Sequence, residues 1–204
     1  MSAAGTAAVA EMTPLRRGRH GLPPEQVRES QRRRLMAAAA ESLLASGYAR
    51  LTVTEVAKLA RVSTAAFYKS FGDIWDCLAS AYEANAGLLC ERVEAACREG
   101  DGGRDERSGA AIEAALELLA AEPALAHLLC AAPPAQSAEL REARGRLVLR
   151  LSGLLGAARQ GGVPTHHARL IAAALGLVAS RLRAEGAEGL GNLAPTLTGI
   201  LLSP

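Results

Sequence analysis

Among the side chains able to do chemistry, three consecutive arginines stand out: Arg32, Arg33 and Arg34. Guanidinium groups carried together on a helix suit phosphate, a contact that holds a protein on nucleic acid without reading its sequence. A second basic cluster, Arg16, Arg17, Arg19 and His20, lies in a stretch rich in Ala, Gly, Thr and Arg that lacks periodicity. It is either an arm that reaches a DNA backbone or minor groove, or a solvated tail. His127 and Cys130 stand three apart on one helical face, as two metal or haem ligands would. No further ligands sit at matching spacing, so ordinary packing accounts for them and no metal or cofactor is assigned. His166 and His167 are adjacent and point in different directions. Cys90 and Cys97 share one helical stripe, a placement open to a thiol sensor, although a disulfide between them would require the helix to unwind. No phosphate loop, nucleophile elbow or metalloprotease helix occurs, and acidic residues such as Glu113 and Glu117 read as a solvated helix face. These features argue against an enzyme and leave two other classes, a nucleic-acid binder and a helical thiol-, metal- or protein-interaction module.

The elements that would position these groups are helical. Thr52 followed three residues later by Glu55 is a capping-box pattern, and Val53, Val56, Ala57 and Ala60 recur behind it at helical spacing. Ser63 is a second N-cap candidate, just ahead of a short amphipathic segment from Thr64 to Ser70. Two short helices joined by a tight turn form a helix-turn-helix, in which the second helix enters the DNA major groove and its first residues reach base edges. Upstream, Pro23-Pro24-Glu25 suits a helix start and no breaker follows until Gly47. That first helix, Pro24 to Ser46, has Leu35, Met36, Ala39, Ala40, Leu43 and Leu44 on its buried stripe.

Gly47-Tyr48, Leu51 to Ala57, Ala60-Arg61-Val62-Ser63 and Phe67 to Phe71, in this order, resemble the DNA-binding domain of the TetR family of transcriptional regulators. The segment from Gly18 to Leu35 also resembles a leader common among actinobacterial members. The resemblance implies an all-α chain with an N-terminal three-helix helix-turn-helix domain and a C-terminal helical bundle for ligand binding and dimerisation. It places the usual base and phosphate contacts on Thr54, Ser63, Thr64, Ala65, Tyr68 and Lys69. Thr64 offers a hydroxyl to a base edge and Ala65 a methyl to thymine, whereas Tyr68 and Lys69 suit phosphates. Phe67 and Phe71 are core. Two positions depart from the family pattern. Arg61 stands in the turn where Gly is usual, which implies strain, and Ile74-Trp75 replaces a Lys and a charged residue at the start of the next helix.

Charge and aromatic content divide the chain. Residues 1–70 hold eleven Lys+Arg against five Asp+Glu, and residues 71–204 twelve against sixteen. One end is suited to meet phosphate and the other is not. All six aromatics fall between Tyr48 and Tyr82, so the remainder packs with Ala, Leu, Val and Ile, and two cores follow. The expected organisation is a disordered basic arm over 1–22, a DNA-binding domain over 23–72 and a helical domain over 73–204. In that last part a long helix runs from Asp73 to Glu99, placed to carry a conformational shift. Further helices are expected over 106–121, 123–131, 134–160, 165–184 and 193–202. Four cysteines without a signal-like N-terminus fit a cytosolic protein with free thiols, and no stretch is long enough to span a membrane.

By the same resemblance the partners are double-stranded DNA, a second copy of the chain and a small-molecule effector that lowers operator affinity. Leu170, Ala173, Ala174, Gly176, Leu177, Val178 and Leu182, with Leu197, Ile200 and Leu201, would form the dimer interface. Position on the central helices assigns the effector pocket to Leu116, Leu119, His127, Leu128, Leu147, Arg150 and Leu154. The lack of aromatics there favours an aliphatic effector, an acyl or alkyl compound, over a planar aromatic one.

Overall fold

The computed structural model describes residues 23–100, 102–156 and 164–202, and the arginines of the N-terminal arm lie outside them. Among the described residues there are helices and turns and no strand. The chain forms two compact units, divided between Ala81 and Tyr82, inside a helix rather than at the loop before it.

In the first unit, α1 (Pro24–Ser46) starts on Pro24 and ends at Gly47, whose positive φ of 71° lets its N–H return to the Leu43 carbonyl. Leu35, Ala38, Ala39, Ala40 and Leu43 are buried, but Leu44, expected on that stripe, is 41% exposed. α2 (Val53–Leu59) and α3 (Thr64–Tyr68) pack on each other and on α1. The unit closes with the first turns of α4 (Ile74–Glu99), whose Cys77, Leu78 and Ala81 are fully buried. That burial is why the division falls after Ala81.

α4 starts on a two-sided cap. Asp73 Oδ1 accepts from the backbone N–H groups of Trp75 and Asp76 at 2.8 and 2.9 Å, and Asp76 Oδ2 accepts from Gly72 N–H at 2.8 Å. Two carboxylates at a helix N-terminus also complement its dipole. Ile74 and Trp75 are half-buried, and the Trp75 ring lies 6.2 Å from that of Tyr48. The departure from the family pattern at these positions serves packing.

The second unit holds the rest of α4 with α5 (Arg104–Ala121), α6 (Pro123–Cys130), α7 (Ala138–Gly156), α8 (Pro164–Glu185) and α9 (Ala194–Leu202). α8 packs on α6, α7 and α9, and α5 on α6 and α9. Its core is almost wholly aliphatic, with Tyr82 the one large aromatic among its fully buried side chains. The Tyr82 hydroxyl donates to the Leu129 carbonyl at 3.0 Å, and Arg144 donates to the carbonyls of Leu129, Cys130 and Ala131, each at 3.1 Å. A guanidinium thus caps the C-terminus of α6, where unpaired carbonyls and the helix dipole favour a cation.

Two helix starts differ from the expectation. α5 begins at Arg104 because the Glu106 carboxylate folds back to accept from Gly103 N–H at 2.8 Å. α7 begins at Ala138, since Pro133 and Pro134 disfavour helix and buried Ser137 caps the next one by accepting from Leu140 N–H at 3.2 Å.

Arg61 has φ +55°, the only non-glycine residue with positive φ among the described residues. It ends α2 in a Schellman arrangement, with Arg61 N–H on the Lys58 carbonyl at 3.1 Å and Val62 N–H on the Ala57 carbonyl at 3.0 Å. The strain expected from the sequence is real, because the Cβ of an L-residue crowds the backbone in this conformation. Arg61→Gly is expected to stabilise the protein by about 0.5–1 kcal/mol, the relief of that crowding less the added freedom of the unfolded chain. Thermal unfolding followed by fluorescence of the single tryptophan, Trp75, checks it, and a lowered midpoint would show that the Arg61 side chain contributes more than its backbone costs.

Candidate nucleic-acid interface

α3 has five residues and is held at both ends. At its start the Ser63 hydroxyl accepts from Ala66 N–H at 3.1 Å, and the Thr52 hydroxyl does the same for α2, accepting from Glu55 N–H at 3.2 Å. Thr52 also donates to the Glu55 carboxylate at 3.1 Å, so the capping box closes on the Thr hydroxyl. Between the caps, Phe67 is fully buried and its ring lies 5.6 Å from that of Phe71. Deleting a side chain so placed costs about 3–5 kcal/mol.

This anchoring leaves one face of α3 free. Ser63, Thr64, Ala65 and Lys69 are exposed, Tyr68 is 61% exposed, and Thr54 is exposed on α2. Tyr68 lies off the buried face, its ring edge-on to Phe67 at 5.5 Å, which fixes the ring while leaving the hydroxyl outside. The six side chains that the resemblance assigned to DNA contact on and around α2 and α3 are therefore exposed. Lys58 and Arg61 add exposed cations on α2 and the turn that follows it. From the sequence, Arg61 stands out only as a strained turn residue.

The three arginines of α1 divide. Arg32 points inward: it donates to the Ser70 carbonyl at 2.8 Å and to the Ser80 hydroxyl at 2.9 Å, and its guanidinium carbon sits 4.3 Å from the centre of the Phe71 ring. Arg34 donates to the Ala60 carbonyl at the end of α2 at 3.2 Å, and its Nε is buried without a hydrogen-bond partner. Both were expected on phosphate. Both are instead committed to backbone carbonyls that the ends of short helices leave unpaired. Only Arg33 is exposed, 3.5 Å from Glu29 in a surface pair of the kind worth little. Consecutive helical positions point about 100° apart, so three adjacent arginines cannot share one surface.

Burial of Cys77 pushes its thiol up to about 12, with the nearby Arg32 charge acting in the opposite direction. Cys130 is likewise pushed up to about 12 by burial, and burial raises Cys90 and Cys97 as well. At neutral pH all four remain thiols, whereas redox sensing needs thiolate. Burial, with a smaller contribution from Arg183, lowers His127 and keeps its imidazole neutral at pH 7. No group of three or more His, Cys, Asp or Glu able to hold a metal is found among the described residues.

Residues 35–81 match the family model described as bacterial regulatory proteins, tetR family, a span that ends where the first unit ends. That segment carries a TetR-type DNA-binding domain. The architecture of the chain agrees with solved structures of the same fold. The fatty acid degradation regulator FadR from Bacillus halodurans has a TM-score of 0.70 at 21% identity, over 90% of this chain and 97% of that one. FadR from Bacillus subtilis in complex with stearoyl-CoA has 0.69 at 23% identity, over 83% and 97%. A TetR-family regulator from Streptomyces coelicolor has 0.58 at 22% identity, over 84% and 97%. No curated protein matches the sequence. The matched segment is the DNA-binding part of bacterial regulatory proteins, and the solved structures that share the fold are described as regulators.

Tyr68→Ala and Lys69→Ala are each expected to weaken duplex binding by about fivefold or more, with the unfolding midpoint unchanged in Lys69→Ala and only slightly lowered in Tyr68→Ala, which loses its edge-on contact with Phe67. Lys69→Ala should also flatten the salt dependence of binding, by about one phosphate per chain bound. Fluorescence anisotropy across a salt series checks both, and unchanged affinity in the two variants would remove α3 from the interface.

Proposed function

We propose that this chain is a TetR-type transcriptional regulator, a ligand-released repressor that binds a palindromic operator as a homodimer in the cytoplasm. The observation that carries the reading is the free face of α3, with Thr64, Ala65, Tyr68 and Lys69 exposed on a helix whose opposite side is sealed by Phe67. Thr64 and Ala65 are assigned to base edges, and Thr54, Ser63, Tyr68, Lys69 and Arg33 to the backbone. Selection from a random duplex pool tests it. A two-fold symmetric consensus with half-sites about one helical turn apart, or a multiple of it, and affinity that falls steeply with salt are expected. Enrichment of no sequence would overturn the reading.

For the partner copy, the proposed interface is narrower than the apolar list drawn from sequence. Ala174, Val178, Leu197 and Leu201 are buried within their own chain, on the faces by which α8 and α9 meet their neighbours. Ala173, Gly176 and Ile200 are exposed, and Leu170, Leu177 and Leu182 half-buried, which leaves these six to face a second copy. A Cβ built on Gly176 meets nothing within 4 Å, so a larger side chain fits the lone chain and obstructs only a partner. Gly176→Arg is expected to halve the sedimenting mass while leaving the helical circular dichroism intact. An unchanged mass would take α8 out of the interface.

For the effector we favour a long-chain acyl compound. Of the residues assigned to the pocket, Leu116, Leu119, Leu128 and Leu147 are buried, His127 and Leu154 are half-buried, and Arg150 is exposed, so Arg150 is the weakest member of the set. The aliphatic surroundings support an alkyl chain over an aromatic plane, and a relative of the same fold has been solved with stearoyl-CoA. Such a ligand releases the operator only through its different affinity for the two conformations of the regulator. Titration of long-chain acyl-CoA against the protein on its selected duplex should displace the DNA, while an aromatic ligand of similar mass should not. Retention of the DNA at saturating acyl-CoA would remove this class.

A further inference from the structure

Arg32 makes three directional contacts from one side chain, and each reaches a different part of the helix-turn-helix. One N–H group holds the Ser70 carbonyl, just past the end of α3. The other holds the Ser80 hydroxyl on α4. The plane between them lies over Phe71, which is itself packed against Phe67. We propose that Arg32 is a positioning residue for operator recognition: it fixes the angle at which α3 presents Thr64 and Ala65, and so sets sequence specificity without touching DNA. This inference rests on the operator-binding reading above.

A helix of five residues is too short to hold its own shape or direction, so its pose is whatever its surroundings impose. Ser63 fixes the start and Phe67 the buried side, but neither prevents a pivot about the Phe67 ring. The restraint against that pivot lies at the far end, where Arg32 ties Ser70 to α4. Arg34 does for α2 what Arg32 does for α3, through the Ala60 carbonyl. Base-edge hydrogen bonds demand placement within about 0.5 Å, whereas mobile cations follow phosphates with far more tolerance. Loss of the Arg32 restraint should therefore remove specificity and spare non-specific affinity. Lysine cannot replace it, because an ammonium carries the charge but neither the two-pronged donor geometry nor the flat face that stacks on a ring.

The test uses the full chain, the duplex that the wild-type protein selects from a random pool, and an unselected duplex of equal length. Arg32→Lys is expected to lower the ratio of selected to unselected affinity by about tenfold or more, the scale of one lost base contact in each half-site. Affinity for the unselected duplex and the slope of affinity against salt should stay as in wild type. Ser80→Ala, which removes one of the two donations, should move the same ratio in the same direction by a smaller factor, and it decides the matter if Arg32→Lys does not fold. Equal losses on both duplexes with a flatter salt slope would make Arg32 a phosphate contact and overturn the proposal. A lowered unfolding midpoint with the ratio unchanged, measured well below that midpoint, would make it merely structural and overturn it too. If wild type selects no sequence at all, it is the operator-binding reading that fails.

Discussion

A recognition helix of five residues depends on the burial of Phe67. Helix nucleation is unfavourable and a segment this short gains too few internal hydrogen bonds to offset it. The helix exists because one large ring is sealed into the first unit, while the Ser63 hydroxyl accepts from Ala66 N–H at its start and the Arg32 guanidinium donates to the Ser70 carbonyl just past its end. The same burial sets the face proposed for DNA. Once Phe67 faces in, the three-to-four-residue period of the helix turns Thr64, Ala65 and Tyr68 outward.

The cationic side chains of the first unit serve two ends that composition cannot separate. Arg32 and Arg34 terminate helices from the inside, using charge-assisted hydrogen bonds to carbonyls. Lys58, Arg61, Lys69 and Arg33 remain on the surface, where they can add to the sequence-independent attraction of phosphate. The excess of basic residues in residues 1–70 is thus partly a structural device, and fewer charges than the count implies are available to DNA.

The second unit works by different means. With nearly all aromatics spent before Tyr82, its helices approach through Leu, Ile, Val and Ala, and its polar interior is confined to a few clamps such as Arg144 on α6 and Ser137 at α7. An interior of this kind has no stacking surfaces and few fixed hydrogen-bond donors, which suits a chain-like apolar ligand in the proposed role.

Residue type and period alone determined the helices, apart from the starts of α5 and α7, and both N-caps of the helix-turn-helix, while the resemblance added the strained turn at Arg61 and the contact set on α3. These are local matters: a capping hydroxyl acts over three residues, a helical face repeats every three or four, and a positive φ follows from the tight turn itself. Tertiary structure alone decided the direction of the arginines, because Ser70, Ser80 and Ala60 lie between 26 and 48 residues from their partners and nothing in the sequence marks a serine or a carbonyl as a guanidinium acceptor. It also decided which apolar residues of α8 and α9 fill their own core. Ala174 and Gly176 are both small and lie on the same helix, and only the packing of neighbouring helices buries one and leaves the other open.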